Sequence, residues 1–241
     1  MLGIIAAGGL GVRMNSGTPK PLTLLPNGET FLSEAIRKLA GYVDETVVVT
    51  SNVVLSHPNF VKAEGCHYRV QNDPTGMGDA VFTAGDLIEL HCDVLIIWCD
   101  QIGITEETIA RSIASHNYGG SNRKMTIPLL LKSSKYIEFQ IDDGHLLKVR
   151  QAKEGDFVSD LAPSDIGLFI VSDGKEFLST WLDGGREYSK GQITSEYNFL
   201  PFLEYLDSKG WVLNEVVASE SDGLGVNTQE ELVQALRKLE K

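Results

Sequence analysis

Cysteine is scarce in this chain of 241 residues, and its few positions exclude two kinds of stabilising site. Cys66, Cys92 and Cys99 are an odd number, and they lack the C-x-x-C spacing of a disulfide framework or a zinc site. The five histidines also lack metal-ligand spacing. Because 42% of the residues are hydrophobic, the chain can instead bury a substantial core, in which we expect Cys99 to act as a small apolar side chain.

Long apolar runs and an excess of positive charge are also missing. No stretch is long enough to cross a bilayer, and the first residues lack the basic segment that begins a signal peptide. Lys and Arg number 21 against 33 Asp and Glu, which gives a formal net charge of −12. This charge repels the phosphates of nucleic acids and anionic membranes, but it permits a small phosphorylated ligand in a local basic pocket. We therefore predict a cytoplasmic protein with small-molecule partners, no nucleic-acid partner and no membrane association.

Several common catalytic and phosphate-binding motifs are absent as well. The sequence has no G-x-S-x-G nucleophile motif and no internal repeat. The residues after Gly11 do not supply the G-K-[ST] of a P-loop, and Met14 stands where the dinucleotide fingerprint G-x-G-x-x-G needs its third glycine. What the chain does have is a different glycine-rich loop within residues 3–14, directly after an apolar run.

This glycine-rich loop is predicted to bind phosphate. Glycines have no Cβ, so backbone N–H groups can close around an anion. Arg13 and Lys20 would add the two positive charges that a triphosphate needs nearby. The positions predicted to contact the nucleotide here are Ala6, Ala7, Gly8, Gly9 and Gly11. For the glycines alone, an ordinary β-to-α turn remains an alternative.

Residues 6–14, A-A-G-G-L-G-V-R-M, and residues 19–22, P-K-P-L, resemble the N-terminal signature of the nucleotidyltransferases that activate sugar 1-phosphates. This family includes the pyrophosphorylase domain of the bifunctional UDP-N-acetylglucosamine enzyme. The resemblance implies an enzyme that uses Mg²⁺ to transfer a nucleotidyl group from an NTP to a sugar 1-phosphate, giving an NDP-sugar and pyrophosphate. In that reaction Arg13 would stabilise the leaving pyrophosphate, and Lys20 the transferring phosphoryl group.

Two positions resemble the metal site of the same family. Asp100 directly follows a strand-like apolar run, and open α/β sheets bind ligands at the carboxyl ends of their strands. It matches the aspartate of the family's G-D-x-P motif, although Cys99 and Ile102 replace the glycine and the proline. Asn227 resembles the asparagine of the family's G-V-N motif, and both side chains offer the oxygen ligands that Mg²⁺ prefers. Asp222 is a weaker candidate, and the alternatives are a loop-capping aspartate and a turn asparagine.

Gln71 and Gly76 match the family's base-binding segment, Q-x-x-x-x-G-T-x-x-A. A glutamine can read a base edge by paired hydrogen bonds, although Met77 replaces the usual hydroxyl residue. The acceptor half resembles the family more loosely, and packing or turn roles remain alternatives for its residues. Those at the family's acceptor-binding positions are Tyr136, Gln151, Asp165 and Glu196.

Strand-like and helical runs alternate through the first half of the chain, which predicts a mostly parallel sheet covered on both faces. The predicted strands there are residues 2–7, 46–50, 67–71 and 94–98, and the predicted helices are 30–40, 78–90 and 105–115. The second half is predicted to be more antiparallel, with strands at 125–131, 136–141, 145–149, 165–171 and 211–218 and a final helix at 228–241. We expect a three-layer, Rossmann-like α/β fold with an antiparallel acceptor lobe, the nucleotide-diphospho-sugar transferase type that the resemblance implies. It would form one domain over residues 1–241, with a nucleotide-binding half (1–120) and an acceptor half (121–241).

Three other functions remain open on the sequence alone. The nearest keeps the fold and transfers a cytidylyl or other nucleotidyl group to a non-sugar phosphate, such as an alditol phosphate, choline phosphate or a molybdenum-cofactor precursor. A metal-dependent glycosyltransferase would normally carry D-x-D at the metal strand, whereas Asp100 is followed by Gln101 and Ile102. The third is a nucleotide-binding protein without turnover.

Overall fold

A mixed eight-stranded sheet lies at the centre of the computed structural model, which describes residues 1–9, 17–118, 121–132 and 136–239. In chain order the strands are β1 (Leu2–Ala7), β2 (Glu45–Thr50), β3 (Cys66–Val70), β4 (Asp93–Trp98), β5 (Lys124–Lys132), β6 (Ile137–Asp142), β7 (His145–Gln151), β8 (Ala162–Asp165), β9 (Leu168–Ser172) and β10 (Val212–Val217). The order across the sheet is β10–β5–β9–β4–β1–β2–β3, with β8 paired to β5, while β6 and β7 form a separate antiparallel hairpin. In the large sheet β8 and β9 run antiparallel to the strands they pair with, and the remaining pairs are parallel.

Helices pack on both faces of this sheet. In chain order they are α1 (Phe31–Leu39), α2 (Asn52–Leu55), α3 (Met77–Phe82), α4 (Gly85–Ile88), α5 (Glu106–Asn117), α6 (Gly174–Thr180), α7 (Arg186–Tyr188), α8 (Phe199–Ser208) and α9 (Gln229–Leu239). Threonine side chains cap three of them. Thr30 Oγ1 accepts the N–H of Ser33 at 3.0 Å in α1, Thr105 Oγ1 accepts that of Thr108 at 3.2 Å in α5, and Thr228 Oγ1 accepts that of Glu231 at 3.1 Å in α9. Within the described ranges, none of the helices combines the length and the hydrophobicity needed to cross a bilayer.

Alternating side chains of the buried strands fill two cores, one on each face of the sheet. In β1, Ile4 packs into the core formed with α3, α6 and α8, whereas its neighbour Ile5 packs into the core formed with α1 and α5. Strands from both halves of the chain join in this sheet, because β4 pairs with β9. The predicted α/β fold with a mostly parallel mixed sheet is confirmed, and the structure adds a small antiparallel sheet of β6 and β7 in the second half of the chain. The division of the domain at residue 120 stays a prediction.

The single strand predicted at residues 165–171 is wrong. Gly167 adopts a left-handed φ of +78° and donates its N–H to Asp165 Oδ2 at 2.9 Å, which turns the chain. β8 therefore ends at Asp165 and β9 begins at Leu168, and the two strands pair with different neighbours.

The single helix predicted at residues 78–90 is also wrong, since the structure has α3 and α4 there with a break after Phe82. A Cβ added to Gly85 would lie 3.3 Å from Leu178, so a glycine at the break allows α6 to approach closely. The sequence patterns do not predict α2, α6, α7 or α8. The segment Trp181–Gly185 joins α6 to α7, and the chain kinks within it at Asp183 and Gly184.

This topology brings distant chain segments to one edge of the sheet. β4 pairs in parallel with β1, which is joined to β3 by parallel pairing through β2, so the carboxyl ends of β1, β3 and β4 lie at the same edge. Gly8, Gln71 and Asp100 follow those carboxyl ends, which is where open α/β sheets bind ligands.

Candidate functional site

Three side chains from distant parts of the chain meet at this edge of the sheet. Lys20 Nζ donates a hydrogen bond to Asn227 Oδ1 at 3.0 Å and forms an ion pair with Asp100 Oδ2. The Lys20 side chain is 11% exposed and that of Asp100 is 21% exposed, so little water reaches the pair. Asp100 Oδ1 is buried and has no hydrogen-bond partner among the described residues. The structure thus brings together one residue predicted to be catalytic and the two predicted metal ligands.

The loop before α9 reaches this cluster because it packs closely on the segment after β4. The N–H of Val226 donates to Asp100 O at 3.0 Å, and the N–H of Gly103 donates to Leu224 O at 3.1 Å. A Cβ added to Gly103 would lie 2.7 Å from the Cβ of Leu224, so only glycine permits this approach. These backbone contacts hold Asn227 beside Asp100.

Asp222 lies in the same loop and anchors it to the start of α5. Its carboxylate is fully buried and accepts five hydrogen bonds, which come from Thr105, Thr108 and Ser219. Burial alone would raise the pKa of Asp222, but the hydrogen bonds from Ser219 and Thr105 outweigh it and hold the pKa below its ordinary value. The carboxylate is therefore ionised near neutral pH, and its hydrogen bonds hold the loop in place.

Two adjoining cavities open on the cluster of Lys20, Asp100 and Asn227. The cavity that contains the predicted nucleotide-binding residues, here called the nucleotide-side cavity, has a volume of about 520 Å³. The cavity that contains most of the predicted acceptor-binding residues, here called the acceptor-side cavity, has a volume of about 610 Å³. Predicted site residues that line only the nucleotide-side cavity are Ala6, Gly8, Gly9, Lys20, Gln71, Gly76 and Glu196. Those that line only the acceptor-side cavity are Tyr136, Gln151 and Asp165. The residues that border both are Met77, Trp98, Asp100, Lys153 and Asn227.

Some of the predicted residues are placed differently from the expectation. Ala7 does not line either cavity, because its side chain is fully buried and its carbonyl accepts a hydrogen bond from Thr50 Oγ1 at 2.8 Å. Glu196, predicted to bind the acceptor, borders the nucleotide-side cavity instead. Gly11 and Arg13 lie outside the described residues.

Gln71 and Gly76 form a small hydrogen-bonded unit in the nucleotide-side cavity. Gln71 Nε2 donates to Gly76 O at 3.0 Å, while Gln71 Oε1 is 3.7 Å from the point where a Cβ of Gly8 would lie. Gly76 has a φ of +124°, and its Cβ would lie 2.5 Å from the carbonyl oxygen of Tyr197. Glycine is therefore required at position 76 both by conformation and by space.

Lys153 is a cationic residue of the site that the sequence analysis missed. It lies in a 3₁₀ turn at Ala152–Glu154, directly after β7. Its Nζ donates to Glu196 Oε2 at 2.7 Å and to Asn198 Oδ1. The sequence indicates only that a basic residue, Lys153, stands two positions after the predicted acceptor-binding residue Gln151. No local pattern predicts that the Lys153 side chain borders both cavities.

Cys99 lies next to the cluster as an unreactive side chain. The residue is 6% exposed, which confirms the expected buried position. Burial raises the pKa of the Cys99 thiol far above its ordinary value, and the neighbouring Asp100 carboxylate raises it further. The thiol therefore stays protonated and offers no nucleophile.

The donor set of the cluster fits a hard divalent cation. Asp100 and Asn227 supply oxygen atoms, and one of them is the buried Asp100 Oδ1 without a partner among the described residues. The described ranges contain no group of three or more His, Cys, Asp or Glu side chains that is suited to a metal. Two protein oxygens suit Mg²⁺, which commonly binds through one or two protein groups and completes its shell with phosphates and water.

Comparison with known proteins assigns the chain to a family. The model of the MobA-like NTP transferase domain matches residues 3–130, which is more than half of the chain. The chain belongs to this family. The matched residues include β1 from Gly3 onward, the described part of the glycine-rich loop, Lys20, Gln71 and Asp100.

Individual relatives agree with the predicted resemblance. The bifunctional protein GlmU of Gluconobacter oxydans (strain 621H) is 29% identical over 234 residues, covering 96% of this chain and 50% of the relative. GlmU of Lactobacillus johnsonii is 26% identical over 244 residues, covering 99% of this chain and 51% of the relative. The chain thus spans about half the length of the curated relatives it matches.

A solved structure has the same fold. It is a Bacillus anthracis protein named for glucose-1-phosphate thymidylyltransferase activity, with a TM-score of 0.71 over 99% of this chain and 95% of that one. At 16% sequence identity this likeness establishes the fold alone. Together the comparisons confirm the predicted fold and the resemblance to sugar-1-phosphate nucleotidyltransferases.

Proposed function

We propose that the protein transfers a nucleotidyl group from an NTP to a sugar 1-phosphate and releases pyrophosphate. The observation that carries this proposal is the meeting of Lys20, Asp100 and Asn227 where the two cavities join. One cavity has the glycine-rich loop for a triphosphate, and the other has room for a separate phosphorylated acceptor. Transfer between two bound molecules requires such a shared boundary.

The chemistry needs positioning and charge more than proton transfer. A phosphate oxygen of the acceptor attacks the α-phosphorus of the NTP in line, a new P–O bond forms, and the bond to the bridging oxygen breaks to release pyrophosphate. The attacking phosphate is already anionic near neutral pH, so no general base is required. Catalysis then rests on orientation and neutralisation of charge, to which Lys20 contributes at the transferring phosphoryl group. We propose that Arg13 stabilises the leaving pyrophosphate.

We propose that Asp100 and Asn227 hold Mg²⁺ in the working enzyme. Bound there, the metal would neutralise phosphate charge and act as a Lewis acid on a phosphoryl oxygen. The ammonium of Lys20 pairs with these same two side chains in the structure. Lys20 would then turn from Asp100 and Asn227 toward the phosphates of the substrate.

Recognition of the two substrates is divided between the cavities. On the nucleotide side, we propose that Gly8, Gly9 and the backbone around them bind phosphate, and that Gln71 and Gly76 contact the base. On the acceptor side, we propose that Tyr136, Gln151 and Asp165 contact the acceptor. Lys153 borders both cavities and would place a positive charge beside the acceptor phosphate. The net charge of −12 supports small-molecule partners and a cytoplasmic location.

One observation favours a second candidate, transfer to a non-sugar phosphate. The acceptor-side cavity has Gln151 where the family pattern expects an acidic residue, and Asp165 where it expects asparagine. It is also bordered by the aromatic side chains of Trp98, Tyr136 and Phe199. An alditol phosphate, choline phosphate or a molybdenum-cofactor precursor would be such an acceptor.

The first test is thermal unfolding with each of the four NTPs, with and without Mg²⁺. A ligand at 100 times its Kd adds about 2.7 kcal/mol to the free energy of unfolding, which is readily detected. We expect a magnesium-dependent shift with one nucleotide, followed by pyrophosphate release when sugar 1-phosphates are supplied with it. Release with a non-sugar phosphate alone would select the second candidate, and binding without release for any acceptor would leave a nucleotide-binding protein without turnover.

A further inference from the structure

A loop at residues 191–198, named here the bridging loop, contacts the nucleotide-side segment that carries Gly76. The N–H of Tyr197 donates to Thr75 O at 2.7 Å, and the N–H of Gly78 donates to Tyr197 O at 2.8 Å. This pairing lies directly against Gly76, where the absence of a Cβ leaves room for the Tyr197 backbone. The position of Gly76 therefore depends on the position of the bridging loop.

The opposite side of the bridging loop is held by one carboxylate from the turn after β7. Glu154 Oε2 accepts the N–H groups of Ile193 at 3.0 Å and Thr194 at 3.2 Å. Glu154 Oε1 accepts the hydroxyl of Thr194 and the side-chain amide of Asn198, the latter at 3.2 Å. Burial favours the protonated form, but these hydrogen bonds outweigh it and lower the pKa of the Glu154 carboxyl. A Cβ added to Gly191 would lie 2.4 Å from Glu154 Oε1, so the loop closes tightly on this carboxylate.

The Tyr197 side chain is fixed as well. Arg186 makes two parallel hydrogen bonds to the carboxylate of Asp79 in α3, at 2.8 and 2.9 Å. The guanidinium carbon of Arg186 also lies 3.5 Å from the centre of the Tyr197 ring. Arg186 of α7, itself anchored to Asp79 of α3, thus contacts the ring of Tyr197, while Glu154 binds the residues on both sides of Tyr197 in the chain.

We propose that Glu154 is a positioning residue for nucleobase recognition, acting through the bridging loop on Gly76 and through Gly76 on the side chain of Gln71. The last link is the hydrogen bond from Gln71 Nε2 to Gly76 O at 3.0 Å, which orients the Gln71 amide and leaves its oxygen 3.7 Å from the point where a Cβ of Gly8 would lie. Glu154 lies 83 positions from Gln71 in the sequence and lines neither cavity. The inference rests on the proposed function, because it assigns base contact to Gln71.

The matched variants are Glu154→Gln and Glu107→Gln. An amide at position 154 would place an NH₂ group against N–H donors that now share a carboxylate, whereas Glu107 is exposed on α5 and makes no contact with the site. For each protein, calorimetry would measure the Kd of the four Mg-NTPs and of inorganic tripolyphosphate. Tripolyphosphate has no base, so it reports on the phosphate-binding loop alone.

We expect Glu154→Gln to raise the Kd of the preferred NTP by about threefold to tenfold, the range of indirect couplings between sites. The Kd values of the other NTPs and of tripolyphosphate would change little, so the ratio of their Kd to that of the preferred NTP becomes smaller. Glu107→Gln would keep the wild-type preference. If Glu154 only stabilises the fold, Glu154→Gln would lower the free energy of unfolding and leave the preference for one base unchanged.

Three results would overturn the inference. The positioning role fails, and the proposed function stands, if Glu154→Gln keeps the wild-type ratios between the Kd values of the four NTPs. It also fails if the substitution weakens the binding of tripolyphosphate as much as the binding of the preferred NTP. If the wild-type protein binds no NTP, the proposed function fails and the positioning role fails with it. Should Glu154→Gln not fold, Thr194→Val removes one hydroxyl from the same carboxylate, and we expect it to narrow the base preference in the same direction.

Discussion

Lys20 and Asp100 form a partly buried ion pair at the boundary between the two cavities. The same ammonium donates to Asn227, so one lysine engages both side chains that we propose as metal ligands. An ammonium and a divalent cation cannot share these oxygens closely, because two like charges a few ångströms apart repel strongly where water is scarce. If a metal binds to these oxygens as we propose, the ammonium of Lys20 would compete with it until a bound nucleotide draws the ammonium away.

This competition predicts that Lys20→Met will bind metal more tightly than the wild-type protein in the absence of nucleotide. We expect the Kd for Mn²⁺ to fall by about tenfold, equivalent to ~1.4 kcal/mol. Electron paramagnetic resonance of free Mn²⁺ measures this directly. Lys62→Met, at an exposed lysine outside both cavities, should leave the Kd unchanged. Weaker Mn²⁺ binding by Lys20→Met would show that the lysine supports the metal instead of competing with it.

The same Lys20 substitution should have the opposite effect on turnover. If Lys20 stabilises the transferring phosphoryl group, its loss should lower kcat by about 10²–10³, as for one preorganised electrostatic contact. The measurement is pyrophosphate release with saturating substrates and Mg²⁺. A variant that retains most of the wild-type kcat would remove Lys20 from the mechanism.

Lys153 leads to a prediction about the acceptor. We expect Lys153→Met to raise the KM for the acceptor by about tenfold or more, because a charge-assisted contact with phosphate contributes roughly 1.5–3 kcal/mol. Lys148→Met is the matched control, since Lys148 lies on β7 close in sequence but outside both cavities. Initial rates with the acceptor varied at saturating NTP measure the effect. An unchanged KM would mean that the ion pair with Glu196 holds Lys153 in a structural role.

Short-range patterns predicted the elements whose sequence signal is local. β1 occupies the predicted residues 2–7, because a short apolar run that ends in a glycine-rich loop predicts a strand from the sequence alone. Asp100 was placed at the ligand-binding edge for the same reason, since it follows the buried β4. Asn227 has no such local signal, and its candidacy depended on resemblance to a family motif.

The missed elements are those that tertiary contacts determine. The region around α6 and α7 is held by an aromatic cluster in which Phe82 stacks on Trp181 with ring centres 4.4 Å apart. A kink at Gly184, with a φ of +96°, interrupts helical periodicity there. Lys153 was missed because its partner Glu196 lies 43 residues away, and no pattern of local spacing encodes that contact.

Gly76 and Gly28 provide a matched pair for testing close approach. Both have left-handed φ angles, +124° and +83°, but an added Cβ at Gly28 meets nothing within 4 Å. At Gly76 it would lie 2.5 Å from the backbone of Tyr197. We expect Gly28→Ala to lower the free energy of unfolding by about 1 kcal/mol through backbone strain alone, and Gly76→Ala by about 3 kcal/mol or more. Urea denaturation measures both, and equal losses would contradict the packing of Gly76 on the bridging loop.

The buried carboxylate of Asp222 should make the difference in stability between wild type and Asp222→Asn depend on pH. Its carboxylate accepts five hydrogen bonds, so Asp222→Asn should lower the free energy of unfolding at pH 7 by about 3 kcal/mol. The pKa of Asp222 in the folded protein lies below its ordinary value of 3.8, which means that the unfolded chain takes up the proton first as the pH falls. The stabilisation is therefore complete well above pH 3.8, and it is lost as the pH falls through the lower pKa of the folded state.

Asparagine does not titrate, so the difference in unfolding free energy between wild type and Asp222→Asn should shrink from pH 6 toward pH 3, while contributions common to both proteins cancel. Urea denaturation across this range measures the difference, and a gap that stayed constant or widened in acid would show that the carboxylate does not carry its charge in the folded loop.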